Sequence, residues 1–367
     1  MKILIVCGGT GGHIFPAIAL AQKLKEEGYS DLFFIVDKSY NAETMMNMYG
    51  FDYCVFAVPK MPYGVSMKWF GFLARLIRCR IKAEALIVRI NPDIAVGFGA
   101  YISGPIIQTA SAMGIKTLIH EQNVVLGRAN GILCKIADRI CLSFEGSQAQ
   151  KGGRYVLTGN PIRQEMINGL KMITRHEALS ALQFSDKRKT LLVIGGSSGA
   201  SAINKAVSDM VGMLDILERD SVQIAHITGY ADREAVEEVY RVNKIVHWVR
   251  GFCDKMALCY KAADLVICRA GATTISELAF FGVPAVFIPY PGAGGHQAAN
   301  AQHLAKQGAA VVLPQRELQA GKLKDTVFSI LCDNNEMGLM RRNMRIFSRP
   351  QAGRELAGQI IGLTNAE

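Results

Sequence analysis

The sequence contains no Cys-x-x-Cys pair, although it has nine cysteines. They are scattered and odd in number: Cys7, Cys54, Cys79, Cys134, Cys141, Cys253, Cys259, Cys268 and Cys332. That pattern excludes a disulfide framework and a zinc site of the usual spacing. It points to small buried residues in a reducing compartment. No stretch approaches the ~20 apolar residues that span a bilayer. The N-terminal apolar run breaks after about five residues at Gly8-Gly9, too early for the apolar core of a signal peptide. Helix-turn-helix and zinc-finger patterns are missing, and the basic residues are not interleaved with stacking aromatics on strands. A nucleic-acid partner is therefore not expected. The 36 glycines form no low-complexity tract; they cluster in short runs after apolar segments, as functional loops do.

A formal charge of +10 is present, and it implies phosphates or an anionic membrane surface as partners of a soluble or peripheral protein. The 367 residues, half of them hydrophobic, suffice for two ordinary cores. Short β-branched runs alternate with amphipathic stretches of helical length. Strands are predicted at 2–7, 32–36, 54–58, 94–98, 117–120, 139–142 and 156–158. A second series follows at 190–194, 223–228, 245–249, 265–268, 285–288 and 309–313. Continuous apolar strands separated by helices predict parallel sheets covered on both faces. The pattern restarts near residue 189, where Lys189-Thr-Leu-Leu-Val-Ile-Gly-Gly-Ser-Ser-Gly-Ala200 echoes Lys2-Ile-Leu-Ile-Val-Cys-Gly-Gly-Thr-Gly-Gly-His13. The fold class expected is α/β, with two Rossmann-like doubly wound parallel-sheet domains facing a central cleft. The expected domains are 1–162 and 163–345, with a C-terminal helix in 346–367 packing back on the first. A charged stretch without strand pattern, about 171–189, lies between the two series.

Five loops carry polar groups at strand ends. Gly8-Gly-Thr-Gly-Gly-His13 is a glycine turn entering a helix, where exposed N–H groups and the helix dipole favour a phosphate or diphosphate. A dinucleotide site is an alternative, since Asp37 ends the second strand, but Ile14 replaces the third glycine of that fingerprint. Gly195-Gly-Ser-Ser-Gly-Ala200 repeats the logic in the second half. Between them lie Gly97-Phe-Gly-Ala-Tyr-Ile-Ser-Gly-Pro105 and His120-Glu-Gln-Asn123. Arg269-Ala-Gly-Ala-Thr-Thr-Ile-Ser-Glu277 follows the strand at 265–268. Glu277 has two readings: an acceptor for two vicinal sugar hydroxyls, or a capping acid at a helix N-terminus.

These motifs, together with Gly159-Asn-Pro-Ile-Arg163 and His296-Gln-x-x-Asn-Ala301, occur in one order. In that order the sequence resembles the MurG family over residues 1 to about 313. These are GT-B glycosyltransferases that move N-acetylglucosamine from UDP-GlcNAc to undecaprenyl-diphosphate-linked MurNAc-pentapeptide (lipid I). The resemblance implies an inverting transfer to the 4-hydroxyl, making lipid II for peptidoglycan, at the cytoplasmic face of the cell membrane. It implies an acceptor-binding, membrane-associating first domain and a UDP-GlcNAc-binding second domain. On the donor side, Ser197 would meet the diphosphate and Glu277 the ribose. Cys253 would read the uracil through its backbone, and Ala272, Thr273, Thr274, Ile275 and Ser276 would line the sugar–phosphate region. Gln297 would bind the GlcNAc hydroxyls, and Arg163 would help hold the nucleotide. On the acceptor side stand Thr10, Gly11, Gly12 and Asn123, with His13, Glu121 and Asn123 as catalytic candidates. The segment Val36–Glu43 lacks the family's glycine-rich turn.

There is no Asp-x-Asp pair, so no metal and no cofactor are expected; backbone amides and helix dipoles would stabilise the departing UDP. His13 is the candidate base, since an imidazole exchanges protons near neutral pH; alternatively it positions the acceptor diphosphate. For membrane docking, Lys68, Arg75, Arg78, Lys82 and Arg89 share one helical face beside Trp69, Phe70 and Leu73. Two other readings share the donor: a UDP-GlcNAc 2-epimerase and a non-catalytic UDP-GlcNAc-binding scaffold.

Overall fold

The structure is a computed structural model. It describes residues 1–59, 68–145, 153–195, 200–292 and 294–365, and gives the backbone alone for residues 40, 41, 68–74 and 76. The chain divides into two compact units, Met1–Arg163 with Arg349–Glu367, and Gln164–Ser348.

The first unit carries β1 (Ile3–Cys7), β2 (Leu32–Val36), β3 (Asp52–Val55), β4 (Ile94–Gly97), β5 (Lys116–Glu121), β6 (Arg139–Leu142) and β7 (Tyr155–Leu157). Its helices are α1 (Gly11–Glu26), α2 (Tyr40–Tyr49), α3 (Lys68–Ile90), α4 (Ala100–Ala112) and α5 (Arg128–Leu133), with α16 (Ala352–Asn365) returning at the end of the chain. The second unit carries β8 (Lys189–Ile194), β9 (Val222–Ile227), β10 (Val246–Arg250), β11 (Leu265–Cys268), β12 (Ala285–Phe287) and β13 (Ala310–Val312). Its helices are α6 (Gln164–Met172), α7 (Arg175–Ala181), α8 (Ser201–Gly212), α9 (Ile216–Ser221), α10 (Arg233–Val242), α11 (Met256–Ala262), α12 (Ala272–Phe281), α13 (His296–Ala305), α14 (Ala320–Cys332) and α15 (Asn334–Ile346).

Both sheets are parallel throughout, ordered β3-β2-β1-β4-β5-β6-β7 and β10-β9-β8-β11-β12-β13. The order reverses beside β1 in one sheet and beside β8 in the other, the doubly wound arrangement. The strand period of two explains the layering. Ile3, Ile5 and Cys7 face one core with the apolar stripes of α1 and α16. Leu4 and Val6 face another with Cys79, Ala83 and Ile87 of α3 and Ile102, Ile106 and Ile107 of α4. β1 is therefore apolar at every position, which is why it reads as a continuous run.

One strand departs from the sequence reading. The third strand lies at 52–55 rather than 54–58. It is an edge strand whose ladder spans only Phe33↔Asp52 to Val36↔Val55, so it stops where β2 stops. The stretch 171–189 contains α7, started by a capping box in which Thr174 and Glu177 exchange side-chain and backbone hydrogen bonds. The Thr-x-x-Glu spacing was its signal in the sequence.

Where the chain returns to the first unit, Gly159 has φ +78, and a Cβ on it would stand 2.5 Å from Cβ of Arg349. Glycine is required there on both counts. In the second unit the buried Asp264 acts as a staple. It accepts from Arg175 Nη2 at 2.7 Å, Arg341 Nη2 at 2.8 Å and the Thr190 N–H at 2.9 Å. It thereby ties α7, α15 and β8 to the start of β11. All nine cysteines are free thiols.

Candidate active site

Ligands of doubly wound sheets bind beyond the carboxyl ends of the strands, where the strand order reverses. In the first unit that place is built from the loops after β1, β4 and β5. His13 enters from the first turn of α1 and Gly99 lies after β4. A Cβ on Gly99, which has φ +86, would lie 3.4 Å from the His13 ring, so the glycine leaves room for the imidazole.

His13 Nδ1 lies 3.0 Å from Gln122 Oε1. The other end of that amide identifies its atoms. Gln122 Nε2 lies 3.1 Å from the Phe98 carbonyl and 3.1 Å from His120 Nδ1. A carbonyl only accepts, so this end is the NH₂ group and Oε1 faces His13. His120 Nε2 donates to the Gly159 carbonyl at 2.9 Å, leaving its Nδ1 to accept from Gln122. Neutral His13 therefore carries its proton on Nδ1 and keeps its lone pair on Nε2. Burial holds His120 neutral, pulling its pKa down to about 4.

Glu121, a catalytic candidate, is bonded to the chain that follows β5. Its Oε1 accepts from the N–H of Asn123 at 2.9 Å and from Asn123 Nδ2 at 3.0 Å. Its Oε2 accepts from the Gly127 N–H at 2.8 Å and from Asn130 Nδ2 at 2.9 Å. With four donors on two oxygens and 1 % exposure, this carboxylate shapes the loop and aims Asn123. The glycine turn also differs from a bare phosphate cradle. The Gly9 N–H donates to Asp37 Oδ2 at 2.8 Å, and Ser39 Oγ donates to Asp37 Oδ1 at 2.8 Å. Asp37 thus ties the end of β2 to the turn. Thr10 is the N-cap of α1, followed by Gly11 and Gly12 in its first turn. The Arg163 guanidinium lies over the Phe15 ring, 4.0 Å from its centroid.

In the second unit, the candidate residues cluster on the loop after β10 and on the first turns of α12 and α13. Glu277 is buried and accepts from the Tyr260 hydroxyl at 3.0 Å. The N-cap of α12 is Gly271, which puts Glu277 in the second turn; the capping alternative is excluded. Ala272 and Ile275 are buried, Ile275 wholly so, so they can face a ligand only through their backbone. Thr273 is also buried, Thr274 is half-buried, and Ser276 Oγ donates back to the Ala272 carbonyl at 2.9 Å. Gln297 Oε1 accepts from the Tyr290 N–H at 2.9 Å, next to Gly295, whose φ is +81. Cys253 is half-buried on the β10–α11 loop. Ser197 lies outside the described residues. Among the described residues no cluster of His, Cys, Asp or Glu is arranged to hold a metal ion.

The sequence reading missed Gln122, Tyr260 and Asn130, although Gln122 stood inside a quoted motif. It also missed a buried chain behind the second sheet. There His226 Nε2 donates to Asn204 Oδ1 at 3.0 Å, and His226 Nδ1 accepts from the Tyr240 hydroxyl at 2.7 Å. Burial lowers the pKa of His226 to about 3. Both buried histidines bind protons more tightly once unfolded, so their contribution is complete above about pH 6.5 and lost as pH falls from there. Urea unfolding at pH 5 instead of 7 is expected to lose roughly 2 kcal/mol per histidine. A His226→Gln variant should lose about that much less over the same interval. Equal pH dependence in variant and wild type would show that His226 is not the titrating group.

On α3, Arg75, Arg78 and Lys82 are exposed, and so are Ile77, Ile81 and Val88 at 55 %, 60 % and 63 %. The three apolar residues recur at helical spacing and form one stripe with bases on its flank. The side chains of Lys68, Trp69, Phe70 and Leu73 lie outside the described residues. Among the described residues no helix is long and apolar enough to cross a membrane.

The glycosyltransferase family 28 N-terminal domain profile matches residues 3–142, and the C-terminal domain profile matches residues 190–352. A relative from Lawsonia intracellularis is 37 % identical over 370 residues, covering 100 % of this chain and 98 % of its own. It is named UDP-N-acetylglucosamine–N-acetylmuramyl-(pentapeptide) pyrophosphoryl-undecaprenol N-acetylglucosamine transferase. The crystal structure of Acinetobacter baumannii MurG is similar with a TM-score of 0.77 at 27 % identity, covering 99 % of this chain and 100 % of that one. A Neisseria meningitidis UDP-GlcNAc 2-epimerase is similar in fold alone, with a TM-score of 0.68 at 10 % identity over 99 % of this chain and 100 % of that one. Since relatedness runs the length of the chain and embraces both sheets, the chain belongs to the MurG family of GT-B glycosyltransferases, within glycosyltransferase family 28.

Proposed function

We propose that the chain transfers N-acetylglucosamine from UDP-GlcNAc to the 4-hydroxyl of undecaprenyl-diphosphate-linked MurNAc-pentapeptide, forming a β-1,4 bond. The observation that carries the chemistry is His13, fixed by Gln122 with its Nε2 lone pair available at the switch point of the first sheet. The acceptor hydroxyl attacks the anomeric carbon, its proton passes to His13 Nε2, and the C1–O bond to UDP breaks with inversion. The first unit takes the acceptor through Thr10, Gly11, Gly12 and Asn123, the last held by Glu121. The second takes the donor, with Glu277 on the ribose, the Cys253 backbone at the uracil, Gln297 on the sugar and Ser197 at the diphosphate. Arg163 would assist the nucleotide. The amides at the first turn of α12 face the departing diphosphate, favoured by the helix dipole.

The test is turnover of radiolabelled UDP-GlcNAc with a short-chain lipid-linked muramoyl-pentapeptide in EDTA. Label is expected to move to the lipid, and Glu277→Ala is expected to lose at least roughly tenfold, about 1.4 kcal/mol of transition-state stabilisation. Label that stays on the nucleotide, or appears as an epimer, would overturn the assignment.

The lipid acceptor calls for a peripheral membrane surface, and the apolar stripe of α3 with its basic flank supplies one, on the cytoplasmic face. Each base adds roughly 1 kcal/mol near an anionic bilayer, so reversing Arg75, Arg78 and Lys82 to Glu should weaken binding to anionic liposomes about a hundredfold or more. Unchanged liposome binding would place the docking surface elsewhere.

A further inference from the structure

The thiols of this protein are not alike. Burial pushes those of Cys7 and Cys268 far up and that of Cys141 to about 12, so they stay protonated and inert. Cys253 differs: it is half-buried, and its Sγ lies 3.7 Å from Sγ of Cys259. The hydrogen bond between the two thiols lowers the pKa of Cys253 and raises that of Cys259. Cys253 lies on the loop between β10 and α11, and Cys259 is 1 % exposed inside α11. The residue after Cys259 is Tyr260, whose hydroxyl holds Glu277.

We propose that Cys253 and Cys259 form a reversible intrachain disulfide in the presence of a low-molecular-weight disulfide oxidant, and that this bridge weakens uridine nucleotide binding at the adjoining loop. The Cys253 thiolate attacks the oxidant, forming a mixed disulfide and releasing one thiolate. Cys259 then loses its proton and displaces the second thiolate. Two protein thiols are oxidised and one small disulfide is reduced to two thiols. A disulfide needs its sulfurs about 2.0 Å apart, so bonding draws the loop and α11 together by more than an ångström. That movement acts at both ends of the nucleotide subsite: on the Cys253 backbone and, through Tyr260, on Glu277. The second half of the proposal rests on the donor reading above.

The experiment uses the full chain, reduced or equilibrated with oxidised glutathione, with peptide mass mapping and UDP titration by calorimetry on each sample. The oxidised chain should carry a Cys253–Cys259 cross-linked peptide and bind UDP at least roughly tenfold more weakly, about 1.4 kcal/mol, with full recovery in dithiothreitol. Cys259→Ala should form no bridge and stop at a glutathione adduct on Cys253, because the resolving thiol is gone. In the wild-type chain a glutathione adduct on Cys253 without the bridge overturns the proposed site. A mapped bridge with unchanged UDP affinity overturns its effect while the donor reading stands. If the reduced chain fails to bind UDP, the donor reading falls and takes the proposed effect with it, and the mass map alone then decides the bridge.

Discussion

Replacing His13 by Ala should lower turnover by about 10²–10⁴-fold, the usual contribution of a general base. The expectation rests on the Nε2 lone pair that Gln122 and His120 leave available through their hydrogen-bond chain. The pH–rate profile separates this role from mere positioning of the acceptor diphosphate. If His13 is the base, the acidic limb of wild type disappears in His13→Ala; identical limbs in both would exclude it. Gln122→Leu gives a graded version, since it keeps the imidazole and removes the acceptor that selects its tautomer. It should lower kcat by roughly tenfold and leave KM for UDP-GlcNAc unchanged, because the loss lies in proton transfer rather than donor binding.

Replacing Asp264 by Ala should cost about 3 kcal/mol of stability, the low end of what breaking a buried pair removes. Its side chain is 8 % exposed and faces Arg175 and Arg341, whose side chains are 39 % and 36 % exposed. Solvent reaches both guanidiniums once the carboxylate is gone, which keeps the loss from being larger. The Thr190 N–H also loses its partner, at the edge where β8 joins β11. Urea unfolding of the variant measures the effect, with Glu145→Ala as the reference. Glu145 pairs with Arg349 at 2.8 Å on an exposed surface, so that change should cost under about 1 kcal/mol. Equal losses from the two variants would mean that Asp264 is no staple.

The paired restart of strand, glycine turn and helix at residues 2 and 189 foretold two like units, and each predicted strand has a counterpart in one of the two sheets. Periodicity suffices there because a strand buried on both faces must be apolar at nearly every position. Edges were less legible. Where β3 begins depends on the length of β2, its one partner, and no local pattern carries that information. Helix α7 was legible in its capping box but hidden by its charge. Glu277 shows the limit of local reading: a carboxylate near a helix start looks like a cap until the N-cap itself is located, here at Gly271.

The sequence by itself determined the fold class, the repeated phosphate-type turns and the family, because each is written in local order and spacing. Tertiary structure alone decided what the polar residues do. His13 meets Gln122 across 109 positions of chain, and Tyr260 meets Glu277 across 17. The four hydrogen bonds on Glu121, from Asn123, Gly127 and Asn130, likewise exist only because the loop after β5 and the start of α5 fold back over it. A carboxylate or imidazole is one chemical group in the sequence. Its protonation and its role follow from the donors, acceptors and burial around it, and those are assembled only when distant strands end side by side.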